Sequence, residues 1–508
     1  MFFRYLAGCA LTLVVLSSPA FAGQVTPEGA EQLKSLIQNH LDLRQKVKQA
    51  MGTEMMVTGK LNVEPAGAYY KVTFPHLSEK YPDGKVFDMG NLALNAMPGS
   101  TDKEWKVSFS IPAPLYMKDA TGKLLWQVDM GSQKASGVWN VDLQSFTKLN
   151  ADYKDVKLVV NESSSSMPAE IKLAAITVGT DLTLGSSGFY SGSANAALSG
   201  LSSVTEDVNV KIGKIGVEST VKDFDPKVIQ QFTEQVSAIG ESGGSFVDTD
   251  SSQKNALAIF NMVTDVVGKS SDGFDSTFSI ADLSVSGKKE GGEPLSFSLG
   301  KAQIGFRMAD FRSGLIKFGL NLGYEKAVSS GMPAYLEALV PAQFSTDLSF
   351  NNLPYAKLVD LGRSTVAADS NKTPQENPLS VVTQIPQVLT ESGANLTQKT
   401  SATAPYYTVK SEGTLKANSK AIKGFTAEQN MEINGLDVLI TKLTEQSKIP
   451  NNPSSADIQN TLGVLTMLQM TGQQKPDAPS VRTYRLTLDE LGRTLLNGSD
   501  LSAFAKGK

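Results

Sequence analysis

The chain has 508 residues, with 47 Lys and Arg against 51 Asp and Glu, for a formal charge of −4. That mild acidity offers no basic face to a nucleic acid. One cysteine, Cys9, and two histidines, His40 and His76, exclude a disulfide framework and a Cys- or His-rich metal site.

The first 22 residues read as a secretory leader. Arg4 precedes an apolar run that ends at Ser17-Ser18-Pro19, and Ala20-Phe21-Ala22 gives the small-x-small cleavage pattern. Cys9 lies in LAGC, which looks like a lipobox. The apolar run continues past it through Leu16, so Cys9 is expected inside the leader's hydrophobic region and not at a lipid anchor. The run is short of the ~20 residues that span a bilayer, and no later segment is apolar enough to do so. The expectation is an exported, periplasmic protein cleaved after Ala22 and starting at Gly23.

A helix follows. Thr26 suits an N-cap, Pro27 the first helical position, and Leu33, Leu36, Ile37, Leu41 and Val47 recur at helical spacing. From Met55 to about Val160 the period changes to two, in YYKVTF, WKVSFSI, LLWQVDM and VKLVV, with short turns such as Pro82-Asp83-Gly84. Short links favour antiparallel meanders. One face stays polar, either solvated or lining a wet groove.

Strands continue through VNVKIGKIGVESTVKDFD. Two helices interrupt them. The first is capped by Asp225-Pro226; the second carries Leu257, Phe260, Val263, Val266 and Val267 as its apolar stripe. Further strands run to about residue 362. Residues 363–378 are poor in large apolar side chains and read as an exposed loop or linker. The rest, 379–508, alternates strands and helices. It closes on TYRLTLDELGRTLLNGSDLSAF, a terminal hairpin expected to turn at Gly492 and to bury Leu486 and Leu488. The predicted organisation is therefore the leader 1–22, a helix and β-meander region 23–222, two helices and strands 223–362, the linker 363–378, and the C-terminal region 379–508. The predicted class is α+β, dominated by antiparallel sheet, with several packing helices. QVDMGSQKASGVWNVDL, VNVKIGKIGVESTVKDF and LSFSLGKAQIGFRMADF echo one another, so the sheet units are either repeated or merely alike in composition.

Catalytic patterns fail on context. GESGG around Ser242 lacks the strand-to-helix setting of a nucleophile elbow, and both histidines lie upstream of it. Ser251-x-x-Lys254 has no K-T-G partner. Asp248-Thr249-Asp250 opens like a calcium loop, but Gln253 and Ile259 replace the Gly and Glu the loop needs. His40 and His76 have no partner at metal or triad spacing. No catalytic, cofactor-binding or metal-binding residue is expected, and no cofactor. Trp105, Trp126 and Trp139 are either sheet core or the wall of an apolar groove.

The stretch EWKVSFSIPAPLYMKDATGKLLWQVDMGSQKASGVW, the middle VPAQFSTDLSFNNLP and the tail INGLDVLI with TYRLTLDELGRTLLNGSDLSAF resemble an uncharacterised family of alphaproteobacterial envelope proteins, domain of unknown function 2125. The tail is also similar, more faintly, to the YdgA-like family. The resemblance implies a periplasmic location and an elongated β-rich fold, and it supplies no catalytic residue. The functional expectation is a non-enzymatic envelope protein that binds a lipid-like amphiphile or another envelope component. The alternative is an assembly or structural factor acting through sheet edges. A carboxylate-based hydrolase is the least favoured. A continuous apolar groove would favour the first, and bare sheet edges the second.

Overall fold

The computed structural model describes residues 24–161, 170–205, 207–241, 256–288, 294–370 and 378–501. The leader, GESGG beyond Glu241, Asp248 to Asp250 and Ser251 to Lys254 lie outside the described residues. The fold is α+β, with 54% strand, 25% helix and antiparallel pairing throughout. The chain divides into two compact units, residues 1–274 and 275–508.

The first unit opens with α1 (Pro27–Ala50). Its cap is the expected one: Thr26 Oγ1 accepts from Gly29 N at 3.1 Å, with Pro27 in the first turn. The Thr26 N–H is not left over either. It donates to Tyr70 Oη at 3.1 Å, tying the helix start to the sheet.

The sheet of this unit is a meander. Strand β3 (Tyr69–Lys80) pairs on one side with two short strands, β1 (Glu54–Thr58) and β2 (Asn62–Ala66). On its other side lies β4 (Val86–Pro98). Next come β5 (Glu104–Ser110) and β6 (Leu115–Lys118), which share the edge of β4, then β7 (Leu124–Asn140). Strands β8 (Ser145–Val160), β9 (Glu170–Leu184), β10 (Tyr190–Val204) and β11 (Val208–Phe224) follow, each paired to its predecessor.

Alternation sets the faces. Tyr70, Val72, Leu94, Ala96, Val107 and Ala151 point inward and join Leu33, Ile37 and Leu41 of α1 in one large core. The tryptophans belong to it. Trp105 and Trp139 are buried, Trp105 with Tyr70 edge-on at 6.0 Å and Trp139 with Phe146 at 5.0 Å. They are core rather than groove wall.

Helices α2 (Pro226–Glu241) and α3 (Ala256–Lys269) close the first unit. Asp225 caps α2 by accepting from Lys227 N at 3.0 Å. Ala50, Val236 and Met262 form a small core at their meeting point. Met262 is the buried anchor of α3, whereas Val263 and Val267 of the expected stripe face outward, 47% and 36% exposed. The helix is apolar on most sides, so its period alone does not single out the face that finds a partner.

The second unit holds β12 (Gly273–Lys288), which begins at the boundary, β13 (Pro294–Ala309), β14 (Leu315–Glu325), β15 (Val328–Ser330), α4 (Ala334–Leu339) and β16 (Gln343–Pro354). Helices α5 (Tyr355–Ser370) and α6 (Pro378–Glu391) come next. The expected linker 363–378 is thus helical up to Ser370, and 371–377 lie outside the described residues. Strands β17 (Asn395–Thr403), β18 (Thr408–Ala417) and β19 (Phe425–Asn434) lead to α7 (Leu436–Ser447) and α8 (Ser455–Thr471). Strands β20 (Gln473–Lys475), β21 (Ala478–Leu488), β22 (Thr494–Leu496) and β23 (Ser499–Asp500) close the described chain. The pairing runs β13–β14–β16–β17–β18–β19–β21, all antiparallel.

Candidate functional site

Cross-strand register in the second unit separates two faces. On one, Arg307, Asp347, Lys399, Glu412, Glu428 and Arg485 are exposed. On the other, one row crosses the sheet as Phe306, Leu320, Leu348, Gln398, Gly413, Gln429 and Leu486. The next row is Ile304, Leu322, Thr346, Thr400, Ser411, Met431 and Tyr484. Neither row contains a charged residue.

Helices cover part of this face. Ile433, Leu436 and Tyr484 form a core with Val409, Met431, Leu465 and Leu468, so α7 and α8 roof the β18–β21 corner. Tyr484 Oη donates to Leu468 O at 2.8 Å and ties strand to helix. Over β13, β14 and β16 the same face is less protected. Phe306 is 42% exposed, and Ile304, Phe318, Leu320, Leu322, Leu348 and Phe350 are half-buried. A contiguous apolar surface of this kind is where soluble proteins bind something.

Beside the apolar part lies a polar chain. Gln429 Nε2 donates to Gln398 Oε1 at 2.8 Å and also to Ser411 Oγ. Gln398 Nε2 donates to Thr400 Oγ1, whose hydroxyl is shared with Thr346 at 2.7 Å. The chain crosses four strands, and Gly413 makes this possible. Gln429 reaches over it from β19 to β17, and a Cβ there would collide with the Gln429 amide. Glycine inside a strand marks such a close approach. All five side chains are half-buried and each bonds to another of the five, which lowers the cost of polar groups in an apolar face.

Other features offer less. A concavity of about 510 Å³ on the outer face of the first unit is lined by Tyr69, Met97, Lys106, Val138 and Lys148 among others. One of about 560 Å³ in the second unit is lined by charged residues including Lys399, Glu412 and Glu428. Both are open, wet surfaces of the sheet.

Neither histidine lines these concavities. His76 Nε2 meets Asp88 Oδ1 at 2.9 Å, and Lys118 holds the other Asp88 oxygen at 3.0 Å. His40 Nε2 accepts from Arg44 Nε at 3.1 Å. Burial, and secondarily the Arg44 charge, push the His40 pKa down to about 3. Among the described residues, no three His, Cys, Asp or Glu side chains cluster as a metal site. No described helix is long and apolar enough to cross a membrane.

Comparison with protein-family models, curated proteins and solved structures gives no match.

The polar chain was not legible in the sequence. NLTQKTSAT, the strand that carries Gln398 and Thr400, has only Leu396 and Ala402 to mark an apolar face. Gly413 in the middle of TVKSEGTLKA was the one available signal.

Proposed function

We propose that the protein is a non-enzymatic periplasmic binding protein whose second unit holds the acyl chain of a lipid-like amphiphile. The carrying observation is the half-exposed apolar surface of Phe306, Leu320, Leu322, Leu348 and Phe350 on β13, β14 and β16. Its dimensions suit a chain. Three strand spacings, from β13 to β17, cover about 14 Å at ~4.8 Å each. One leaflet's hydrocarbon, half of a ~30 Å core, is about 15 Å deep. Each methylene removed from water there contributes roughly 0.8 kcal/mol.

The strand-addition reading receives less support. The outer edge of β3 is occupied by β1 and β2, and that of β21 by β20 and β22. Short capping strands are a common defence against pairing with another chain. The export expectation for residues 1–22 agrees with a ligand drawn from the envelope.

Native mass spectrometry of the protein purified from the periplasm tests the reading. Lipid is expected to co-purify. Leu320→Asp with Leu348→Asp puts charge into the apolar surface and should cut occupancy at least tenfold with the fold retained. A lipid-free wild type that takes up none from vesicles refutes the proposal.

A further inference from the structure

The geometry points to a polar subsite for the carbonyl of an ester or amide linkage, built by Thr346, Gln398, Thr400, Ser411 and Gln429 beside the apolar surface. The inference rests on the acyl-binding reading and deepens it to a ligand class: chains joined to their headgroup through an uncharged carbonyl.

Counting donors gives the reason. Gln429 spends both amide hydrogens, on Gln398 and on Ser411. Gln398 spends one, on Thr400, and has a second left. Thr346 and Thr400 share one hydrogen between their hydroxyls, so the pair keeps one to give. Ser411 accepts from Gln429, and its own hydroxyl hydrogen is uncommitted among the described hydrogen bonds. Against one uncommitted acceptor, Gln429 Oε1, the chain thus holds three N–H or O–H donors. A half-buried donor surplus calls for an acceptor.

The acceptor should be neutral. Neither row crossing the site carries a charge, while Arg307, Lys399 and Arg485 are on the opposite face. Desolvating a carboxylate or phosphate against neutral donors would be costly. A carbonyl has two lone pairs, no charge, and sits in acyl lipids at the head of the chain. The position agrees. In the row Phe306, Leu320, Leu348, Gln398, the apolar part ends where the polar chain begins. A chain laid along that row places its linkage on Gln398 and Thr400. Gly413 keeps the approach low, since a side chain there would displace the Gln429 amide.

The experiment offers the whole protein equimolar vesicles of a diester phosphatidylcholine and of the diether analogue with the same chains and headgroup. Native mass spectrometry reads the occupancy of each. Wild type should prefer the diester by roughly two- to tenfold per hydrogen bond formed. Thr346→Val with Gln398→Met and Thr400→Val removes every donor at the linkage position at nearly constant shape, whereas Ser411→Ala exchanges the serine hydroxyl for a freed Gln429 N–H and keeps the number of donors. The triple variant should lower the preference at least twofold, and Ser411→Ala should keep it. Equal occupancy of the two lipids by wild type, or a preference that survives intact in the triple variant, overturns the carbonyl subsite and leaves the acyl-binding reading standing. Failure of wild type to take up either lipid overturns both.

Discussion

His40 shows how a polar side chain on a buried helix face is tolerated. Its Nε2 accepts from Arg44, while its Nδ1 is buried with no partner. The ring therefore stays neutral, with a pKa of about 3 against an ordinary 6.5. In the unfolded chain it takes up a proton below pH 6.5, and in the folded one only near pH 3. Stability is thus complete above pH 6.5 and falls as pH drops through that window, by up to about 1.4 kcal/mol per unit. His40→Gln should flatten the dependence of urea midpoint on pH between 6.5 and 3. Identical slopes in the two proteins would show that the ring is protonated in the fold. The sequence placed His40 on the helix with no partner at i±3 or i±4 that signalled chemistry. It could not show that Arg44, four residues on, would serve as its hydrogen-bond donor.

At the scale of elements, strands end in a recurring way. Asp223, Asp310, Asn352 and Gly435 all have left-handed φ, at 53°, 66°, 56° and 87°. Each is followed by an apolar residue, Phe224, Phe311, Leu353 or Leu436, at or just before the start of a helix or a 3-10 turn. The first two close the similar stretches VNVKIGKIGVESTVKDF and LSFSLGKAQIGFRMADF, both of which end in Asp-Phe. Asn-Leu and Gly-Leu escaped because the shared property is a backbone angle that Asp, Asn and Gly all tolerate, and not a shared residue. The terminal hairpin was legible from its turn: β21 and β22 pair Leu486 with Leu496 and Leu488 with Thr494, and Gly492 takes φ 73°. Its buried residue was not. Leu486 is 40% exposed, and Tyr484 is buried beneath α8. Both project to the same face, and helix cover, which strand periodicity does not encode, decides between them. Tyr484→Ala should cost about 3–5 kcal/mol, whereas Leu486→Ala should cost less than about 1 kcal/mol. Denaturant titration of both variants checks this, and equal losses would mean that the helices shield Leu486 as well.

Across the whole molecule, apolar burial is uneven. The first unit has one large core, in which Leu33, Ile37, Val72, Leu115, Met117, Val128 and Val156 are fully buried, beside the small cluster of Ala50, Val236 and Met262. Among the described residues the second has small clusters, around Leu439, Leu443 and Ile458 and around Ile433, Leu436 and Tyr484. Phe306, Leu320, Leu322, Leu348 and Phe350 stand half-exposed on its sheet. Strand period foretold which side chains share a face, because alternation is local. It did not foretell which faces find cover, because that depends on helices far away in sequence, and so the candidate site became visible only in the fold. The asymmetry should appear in calorimetry as two transitions, the lower one belonging to residues 275–508. A ligand that occupies the exposed face stabilises only the unit that binds it, by about 2.7 kcal/mol at a hundredfold excess over Kd. Adding the diester lipid should therefore raise the lower transition and leave the upper one in place. The Leu320→Asp, Leu348→Asp variant should lose that shift. A lipid-induced rise of the upper transition alone would place the binding surface in the first unit.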